Sequence, residues 1–280
     1  MREALAGSLR TAAAAPRAST RRRVVARAAG PFGEVFVVEE RGRRALRFGS
    51  LSGVDQSVYD PSRPDPLVSA YLHAVVLGAL LAEPLESALL IGLGGGGFLR
   101  FARRHFPELR LDAVELDPVV VRLARRHFAI RPGPRLAIHV ADAATHLAEL
   151  AAERRYDLVV VDAYDGPEIP PALRSPAFFR NLRRALRPRG IAIANIGMPE
   201  ARVEDLLLRR LSRVFGGRCF ELRNSRDDNR IVVAARHALP GTRELVRKAR
   251  EVDASRRFPF RLEGIARTRR GPPRPTTGSR

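Results

Sequence analysis

Several residue types are scarce in this chain of 280 residues. Cys219 is the only cysteine, which excludes an intramolecular disulfide and any cysteine-rich metal site. Tryptophan is absent and aromatic residues make up 6% of the chain, so platforms that stack nucleobases are not evident. No apolar run reaches the roughly 18 residues that a membrane span needs. We interpret the apolar stretch Tyr71 to Leu85 as a core helix, and no membrane partner is expected.

Lysine is almost absent, since Lys248 is the only one among 50 basic residues. With 30 acidic residues the formal net charge is +20 at pH 7. Such a balance is found in proteins that bind nucleic acid or anionic surfaces. Here the arginines are spread along the whole chain and no nucleic-acid motif accompanies them. A coding bias toward arginine and alanine is the favoured explanation, and nucleic acid is not an expected partner.

Predicted strands and helices alternate from residue 88 onward. This alternation implies right-handed crossovers and a parallel sheet. Two more strands, 217–223 and 230–236, are close enough to pair antiparallel. The pattern predicts an α/β, Rossmann-like fold of the class I S-adenosylmethionine-dependent methyltransferase type, with a seven-stranded, mostly parallel sheet. The other strands are expected near 88–93, 110–116, 135–141, 156–163 and 190–196, and helices near 67–81, 97–105, 118–128, 143–153, 175–187, 200–214 and 243–252.

Composition divides the chain into five parts. Residues 1–30 are predicted to be a disordered basic tail or a targeting segment. Glu34 to Phe48 is predicted to form a small β-hairpin, and the turn-rich loop after it is expected to line a site. The predicted parts are thus 1–30, a β element with an active-site loop at 31–66, a catalytic domain at 67–240, a C-terminal helix and extension at 241–266, and a disordered tail at 267–280.

A glycine turn follows the first core strand and marks the most informative stretch. Gly92, Gly94 and Gly97 match G-x-G-x-x-G, and the turn also contains Gly95. Glycines let the backbone approach a ligand closely, and the helix that follows offers free N–H groups. Glu115 ends the next strand, where its carboxylate can accept hydrogen bonds from ribose hydroxyls. A nucleotide or nucleoside site is therefore predicted, and a dinucleotide cofactor also fits this turn.

Two further acids follow predicted strands. Asp142, with Ala143, comes after the third strand, and Asp162 closes the fourth. With Glu115 they place three carboxylates along one edge of the sheet, which favours a site there. The six histidines show no metal-ligand spacing, so no metal is expected. A P-loop and a Ser-His-Asp arrangement are also absent.

Six short segments form a specific signature together, although none is specific alone. They are LSGVDQS with Gln56, Tyr71 in the helix before the sheet, IGLGGGG (91–97), VELDP (114–118), Asp142-Ala143 and DAYD (162–165). SPAFF at 175–179 adds to them. Over roughly residues 33–236 this signature resembles the spermidine synthase (polyamine aminopropyltransferase) family, and more closely its shorter bacterial spermidine-synthase-like members.

The resemblance implies a reaction and a donor site. Family members bind decarboxylated S-adenosylmethionine and move its aminopropyl group to a diamine. By resemblance Glu115 would hold the ribose and Asp142 would contact the adenine. The implied donor-binding set is Gln56, Gly92, Gly94, Gly95, Gly97, Glu115, Asp142 and Ala143.

The resemblance also implies roles on the acceptor side. Asp162 would deprotonate or orient the attacking amine, and Asp165 would bind the amine substrate. Both are therefore predicted as catalytic residues. Tyr71 and Tyr164 are predicted, with Asp165, to bind the acceptor, which would be a small amine or another nucleophile. A homodimer and a cytoplasmic location are further expectations, with organellar targeting by residues 1–30 as the alternative.

One departure from the family keeps two reactions open. The family turn reads G-G-G-D-G-G, and its aspartate pairs with the propylamine nitrogen of the donor, whereas this chain has Gly95. A bare glycine turn would tolerate the carboxylate of intact S-adenosylmethionine better. Methyl transfer from S-adenosylmethionine is thus the close alternative to aminopropyl transfer. A non-catalytic module for an anionic partner and a dinucleotide oxidoreductase are more remote.

Overall fold

The structure is a computed structural model that describes residues 22–53, 55–63, 67–150, 155–164, 168–197, 199–223, 229–256 and 258–272. Among these residues no helix is long and apolar enough to cross a bilayer. The strands are β1 (Arg23–Gly30), β2 (Gly33–Glu40), β3 (Arg43–Phe48), β4 (Ser57–Tyr59), β5 (Ser87–Ile91), β6 (Arg110–Glu115), β7 (Leu136–Val140), β8 (Tyr156–Val161), β9 (Leu186–Asn195), β10 (Cys219–Arg223) and β11 (Arg230–Ala235). The α-helices are α1 (Tyr71–Ala79), α2 (Gly97–His105), α3 (Pro118–His127), α4 (Ala143–Glu149), α5 (Pro176–Arg184), α6 (Ala201–Val214), α7 (Thr242–Ser255) and α8 (Glu263–Ala266).

The large sheet has seven strands in the order β10-β11-β9-β8-β5-β6-β7. Strands β5 to β9 pair parallel, whereas β11 runs antiparallel to both β9 and β10. The predicted seven-stranded, mostly parallel sheet is confirmed. Strand order reverses between β5 and β8, because the chain builds β6 and β7 on one side of β5 before it returns to the other. Ligands bind open α/β sheets at such a switch point, outside the carboxyl ends of the strands.

Helices cover both faces of this sheet. On one face α1, α2, α3 and α7 bury apolar side chains against strands of the sheet, with Leu77, Leu99 and Leu245 at the centre. On the other face α4, α5 and α6 do the same, through Leu147 and Phe178 among others. The central strands are buried on both faces, which is why β5 and β8 read as continuous apolar runs in the sequence.

Helix starts follow the capping residues that the sequence contains. The Asp117 carboxylate accepts from the Val119 N–H at 2.7 Å, and Pro118 occupies the first turn of α3. Ser175 caps α5 in the same way, by accepting from the Phe178 N–H at 3.1 Å. Asp117 thus fixes where the chain turns from β6 into α3, immediately after Glu115.

The predicted N-terminal hairpin is confirmed as β2 and β3, and it belongs to a larger sheet. β1, β2, β3 and β4 form a four-stranded antiparallel sheet in that order, so the predicted tail is wrong for Arg23–Gly30. Cross-strand ion pairs explain how an arginine- and alanine-rich segment becomes ordered. Arg27 lies 2.6 Å from Glu34, and Arg23 lies 3.3 Å from Glu39. Residues 1–21 lie outside the described residues.

The predicted C-terminal tail is also wrong at its start. The backbone of Arg270 exchanges two hydrogen bonds with that of Glu221, each 3.0 Å long. Strand β10 would otherwise leave these groups unpaired at the edge of the sheet, and this pairing orders the segment. Residues 273–280 lie outside the described residues.

Several element bounds also differ. β9 begins at Leu186, earlier than predicted, because Leu186 pairs with Tyr156 before an irregularity in the register. Helix α1 begins at Tyr71 rather than at residue 67, and α5 ends at Arg184 rather than at residue 187. The other helices and strands lie within a few residues of the predicted positions.

Candidate functional site

A cavity of about 890 Å³ lies along the carboxyl edge of the large sheet. It extends from the ends of β6 and β7, across β5 and β8, to the ends of β9 and β10. The N-terminal sheet closes one side of it through Phe32, Val35 and Phe48. The predicted strand-end acids Glu115, Asp142 and Asp162 are therefore brought together in one cavity, as the sequence pattern predicts.

Glu115 fixes the glycine turn at the nucleoside end of the cavity. Its Oε2 accepts from the Leu93 N–H at 2.9 Å and from the Gly94 N–H at 3.4 Å. Its Oε1 accepts from the Asp117 N–H at 3.1 Å. A carboxylate offers about four acceptor positions, so Glu115 retains capacity for a ribose hydroxyl. The geometry suits the ribose contact that the sequence predicts.

Gly92 allows the turn to pass against β8. Its φ is +87°, and a Cβ there would lie 2.2 Å from the Asp162 carbonyl oxygen. No other residue fits that space without moving the backbone. Gly92 and Gly94 both line the cavity.

Gly95 and Gly97 are not among the described residues that line the cavity. The Gly95 N–H donates to Ser57 Oγ at 2.9 Å, and a Cβ on Gly95 would lie 2.7 Å from Ser57 Cβ and 2.9 Å from Phe128 Cδ1. A Cβ on Gly97 would lie 2.9 Å from Leu72 Cδ1. Both glycines serve the packing of the turn, and their predicted contact with the donor stays a prediction.

Asp162 is the centre of the cavity. It is partly buried, and burial raises the pKa of its carboxyl, although two hydrogen bonds oppose the rise. The Tyr71 hydroxyl donates to its Oδ2 at 2.8 Å, and the Asn195 amide donates to its Oδ1 at 3.1 Å. Tyr71 thus lies where the sequence predicts, beside the carboxylate expected to carry the chemistry.

The sequence reasoning missed Asn195, although it ends strand β9 at the same edge. Its Nδ2 also donates to the Asn229 Oδ1 at 2.9 Å. A polar amide that closes an otherwise apolar strand, IAIAN, was the available signal. It needed the strand order as well, because only the adjacency of β8 and β9 puts this amide against Asp162.

Four other predicted residues line the cavity: Gln56, Asp142, Ala143 and Tyr164. Asp142 also caps α4, since its Oδ1 accepts from the Thr145 N–H at 2.8 Å. The Tyr164 hydroxyl is buried, and burial raises its pKa, with further contributions from the negative charges of Asp162 and Glu204. Asp165 lies outside the described residues, so its predicted catalytic role stays a prediction.

The charge inside the cavity is opposite to that of the whole chain. Against a net charge of +20, the described lining contains seven carboxylate residues and one arginine, Arg223. Three of the acids have basic partners, namely Glu34, Asp55 and Glu204. The acids are Glu34, Asp55, Glu115, Asp117, Asp142, Asp162 and Glu204.

No cluster of three or more metal-ligating side chains occurs among the described residues. The side chains of the site offer a partly desolvated carboxylate, hydroxyl and amide groups around it, and negative charge that favours cations. Such a cavity suits a cationic nucleoside beside an amine.

Comparison with known proteins finds the spermine/spermidine synthase family and, over a shorter part of the chain, methyltransferases. Residues 70–213 match the model of the spermine/spermidine synthase domain. A polyamine aminopropyltransferase of Chromobacterium violaceum is 34% identical over 206 residues, which cover 73% of this chain and 77% of that protein.

Two solved structures have a similar fold. A probable spermidine synthase from Corynebacterium glutamicum superimposes with a TM-score of 0.70 at 20% identity, over 88% of this chain and 93% of the other. Human methyltransferase-like protein 13, solved with SAH, superimposes with a TM-score of 0.56 at 27% identity, over 74% of this chain and 95% of the other.

Proposed function

The chain belongs to the spermine/spermidine synthase family, and on this premise we propose that it is a transferase that moves an aminopropyl group from decarboxylated S-adenosylmethionine to a polyamine-type acceptor. The observation that carries the proposal is the partly buried carboxylate of Asp162, which lines the middle of an acidic cavity. It lies between a nucleoside end, at Glu115, and an open polar end, at Asn195.

The donor occupies the side of the cavity formed by β5, β6 and β7. Glu115 accepts hydrogen bonds from the ribose, and the adenine lies beside Asp142 and Ala143. Gly92 and Gly94 let the backbone run close to the sulfonium. The cationic sulfonium is favoured there because carboxylates dominate the charged lining.

The acceptor reaches Asp162 from the other side. A free alkylamine has a pKa near that of lysine, about 10.4, so it arrives as an ammonium ion that cannot attack. Asp162 accepts a hydrogen bond from the ammonium and takes its proton as attack proceeds. Tyr71 and Asn195 each donate to one oxygen of this carboxylate, which fixes its orientation.

The transfer is a single substitution at carbon. The nitrogen lone pair forms the new C–N bond to the propyl carbon that carries the sulfonium, and the C–S bond breaks in line. The electron pair goes to sulfur, which leaves as neutral methylthioadenosine, while the proton passes through Asp162 to water. Much of the acceleration comes from holding the two reactants in line.

The first test supplies the protein with decarboxylated S-adenosylmethionine and 1,4-diaminobutane. Mass spectrometry should show equal amounts of methylthioadenosine and of the aminopropylated amine. The protein given S-adenosylmethionine instead should release no S-adenosylhomocysteine. Release of S-adenosylhomocysteine with a methylated acceptor, and no methylthioadenosine in either reaction, would overturn the proposal.

Methyl transfer is the second candidate because of Gly95. No carboxylate stands at this position to pair with a propylamine, and a Cβ there would meet Ser57 and Phe128. Human methyltransferase-like protein 13, whose structure contains SAH, is similar to this chain. Calorimetric titration with both forms of the donor separates the two, since tighter binding of the carboxylated form favours methyl transfer.

A further inference from the structure

The cavity continues well beyond Asp162. Its far end is lined by Asn195, Pro199, Glu204, Arg223 and Asn229. Strands β9 and β11 lie between β8 and β10, so the end of β10 is three strand spacings away, or about 14 Å at ~4.8 Å each. This end is large enough for a substrate with a second functional group.

Arg223 is the one cation among the described lining residues. Its Nε is buried and makes no hydrogen bond to a described residue, and the nearest carboxylate oxygen, Glu221 Oε2, is 4.0 Å away. Glu221 is itself bound closely by Arg230. Among the described residues, the Arg223 guanidinium therefore has one long ion pair, to a carboxylate oxygen that Arg230 already binds more closely.

Glu204 supplies a negative charge at the same end. It projects from α6, is buried, and lies 3.5 Å from Arg230. Arg230 also pairs with Asp205 and Glu221, so one guanidinium is shared by three carboxylates. The charge of Glu204 reaches the Tyr164 hydroxyl, which also lies in the field of Asp162. Glu204 thus places a carboxylate on the wall of the cavity at this end.

An anion site and a cation site together are the complement of an α-amino acid. Resting on the proposed function, we propose that the acceptor is a diamino acid rather than a plain diamine. Its carboxylate pairs with Arg223, its α-ammonium with Glu204, and its side-chain amine is the nucleophile at Asp162. A guanidinium suits this role because its planar fork matches a carboxylate. A plain polyamine would place a cation against Arg223 instead.

Two acceptor pairs that differ only by a carboxylate test the proposal. They are ornithine against 1,4-diaminobutane and lysine against 1,5-diaminopentane, each with decarboxylated S-adenosylmethionine. The expected kcat/KM is roughly 10- to 100-fold higher for the amino acid of at least one pair, which is the range for one charge-assisted interaction. Methylthioadenosine release, followed by mass spectrometry, is the readout.

Arg223→Gln should remove this preference. The change is safe for the fold, because the Arg223 backbone N–H, not its side chain, bonds Thr268 Oγ1 at 3.1 Å. Arg209→Gln is the matched control, since it removes the same charge from an exposed position on α6 that does not line the cavity. The ratio of the two acceptors should collapse in Arg223→Gln and persist in Arg209→Gln.

The outcomes separate this proposal from the proposed function. Aminopropyl transfer with plain diamines preferred, and a ratio unchanged by Arg223→Gln, would overturn the diamino-acid acceptor and leave aminopropyl transfer standing. If no acceptor yields methylthioadenosine, the proposed function fails. Calorimetry with the methylthioadenosine-saturated protein then decides the acceptor site. Tighter binding of ornithine than of 1,4-diaminobutane supports the diamino-acid acceptor, and equal or weaker binding of ornithine overturns it.

Discussion

Asp162 is central to the proposed function and carries a cost in stability. An ionised carboxylate without water or a paired cation is expensive to bury, and the hydrogen bonds from Tyr71 and Asn195 offset only part of that cost. The pKa of Asp162 is raised because desolvation outweighs these two hydrogen bonds. A residue whose ionised form is unfavourable in the folded state is retained for its chemistry, not for the fold.

We expect Asp162→Asn to lower kcat by about 100-fold or more, because the proton acceptor is lost. The folded-state pKa of Asp162 lies above its unfolded value, so its stabilising contribution is present at low pH and is lost as pH rises through the folded pKa. The asparagine amide of the variant does not titrate, so the variant does not lose stability in this way as pH rises. Thermal unfolding should show a Tm for Asp162→Asn that exceeds the wild-type Tm more at about pH 8 than at about pH 4.

Glu149→Gln is the matched control for this comparison, because it makes the same acid-to-amide change at an exposed position on α4. It should leave activity and the pH dependence of Tm unchanged. A wild-type activity in Asp162→Asn, or a Tm below that of the wild type at both pH values, contradicts the role given to this carboxylate.

The residues that could be predicted from the sequence are those at the ends of parallel strands. Glu115, Asp142 and Asp162 follow apolar runs, and the carboxyl ends of parallel strands share one edge. Asn195 and Glu204 were not found, because their place depends on strand order and on which face of α6 meets the sheet. Local hydrophobic periodicity predicts neither the strand order nor the orientation of α6 against the sheet.

Gly95 shows how one missing side chain reshapes the turn. Ser57 accepts its N–H, and Arg100 binds its carbonyl while also donating to the Phe128 carbonyl at 2.9 Å. The peptide is thus held from both sides, by β4 and by α2. Gly95 stands at the position of the aspartate in the family's turn, and Ser57 and Phe128 occupy the space that a side chain there would need.

Gly95→Ala should therefore weaken nucleoside binding. Its Cβ would lie 2.7 Å from Ser57 Cβ, and overpacking of this kind costs about 1–3 kcal/mol. We expect a methylthioadenosine Kd at least several-fold higher by calorimetry, together with a lower Tm. Gly264→Ala, where a Cβ meets nothing within 4 Å, is the control. Unchanged affinity in Gly95→Ala would show that β4 does not set the turn.

At the scale of elements, the N-terminal sheet supports the glycine turn of the proposed nucleoside site. β4 supplies Ser57 to the glycine turn, and Tyr59 stacks on Arg100 with 4.3 Å between the guanidinium carbon and the ring centroid. The sequence predicted the hairpin of β2 and β3 because two strand-like runs flank the turn at Arg41-Gly42. It did not predict β1, because alanine has low strand propensity and the strand is stabilised by its partner β2, through the backbone ladder and the facing glutamates.

The C-terminal segment 267–270 is the second ordered element that its composition did not predict. Residues 267–270 hold the edge of β10 through the two Arg270–Glu221 backbone bonds and through Thr268 Oγ1, which accepts from the Arg223 N–H. Each bond contributes about 1 kcal/mol. This segment therefore supports the strand end that carries Arg223.

A chain that ends at residue 266 should accordingly be less stable than one that ends at residue 272. The loss of three hydrogen bonds predicts a decrease of about 3 kcal/mol in the free energy of unfolding. Urea unfolding of both chains measures it, and the chain ending at residue 272 is the control that keeps every described contact. Equal stability of the two would mean that the edge of β10 does not need this cover.

At the scale of the whole molecule, charge is segregated. Arginines spread along the chain give it a net charge of +20, whereas the cavity lining carries seven acids and one arginine among the described residues. The two fields act in opposite directions on a cationic donor. Surface charge repels it at long range, and the lining attracts it at short range, where salt screens partly buried groups less.

Salt dependence of binding shows which field dominates. Decarboxylated S-adenosylmethionine is cationic and methylthioadenosine is neutral, yet both present the same nucleoside to Glu115. If the acidic lining dominates, the affinity of the cationic donor should fall between about 50 mM and about 500 mM salt, where the Debye length shortens from more than 10 Å to less than 5 Å. The affinity of methylthioadenosine should stay nearly constant. Calorimetry with both ligands measures the difference, and a cationic donor that binds more tightly as salt rises would mean that the surface arginines, not the cavity acids, govern its binding.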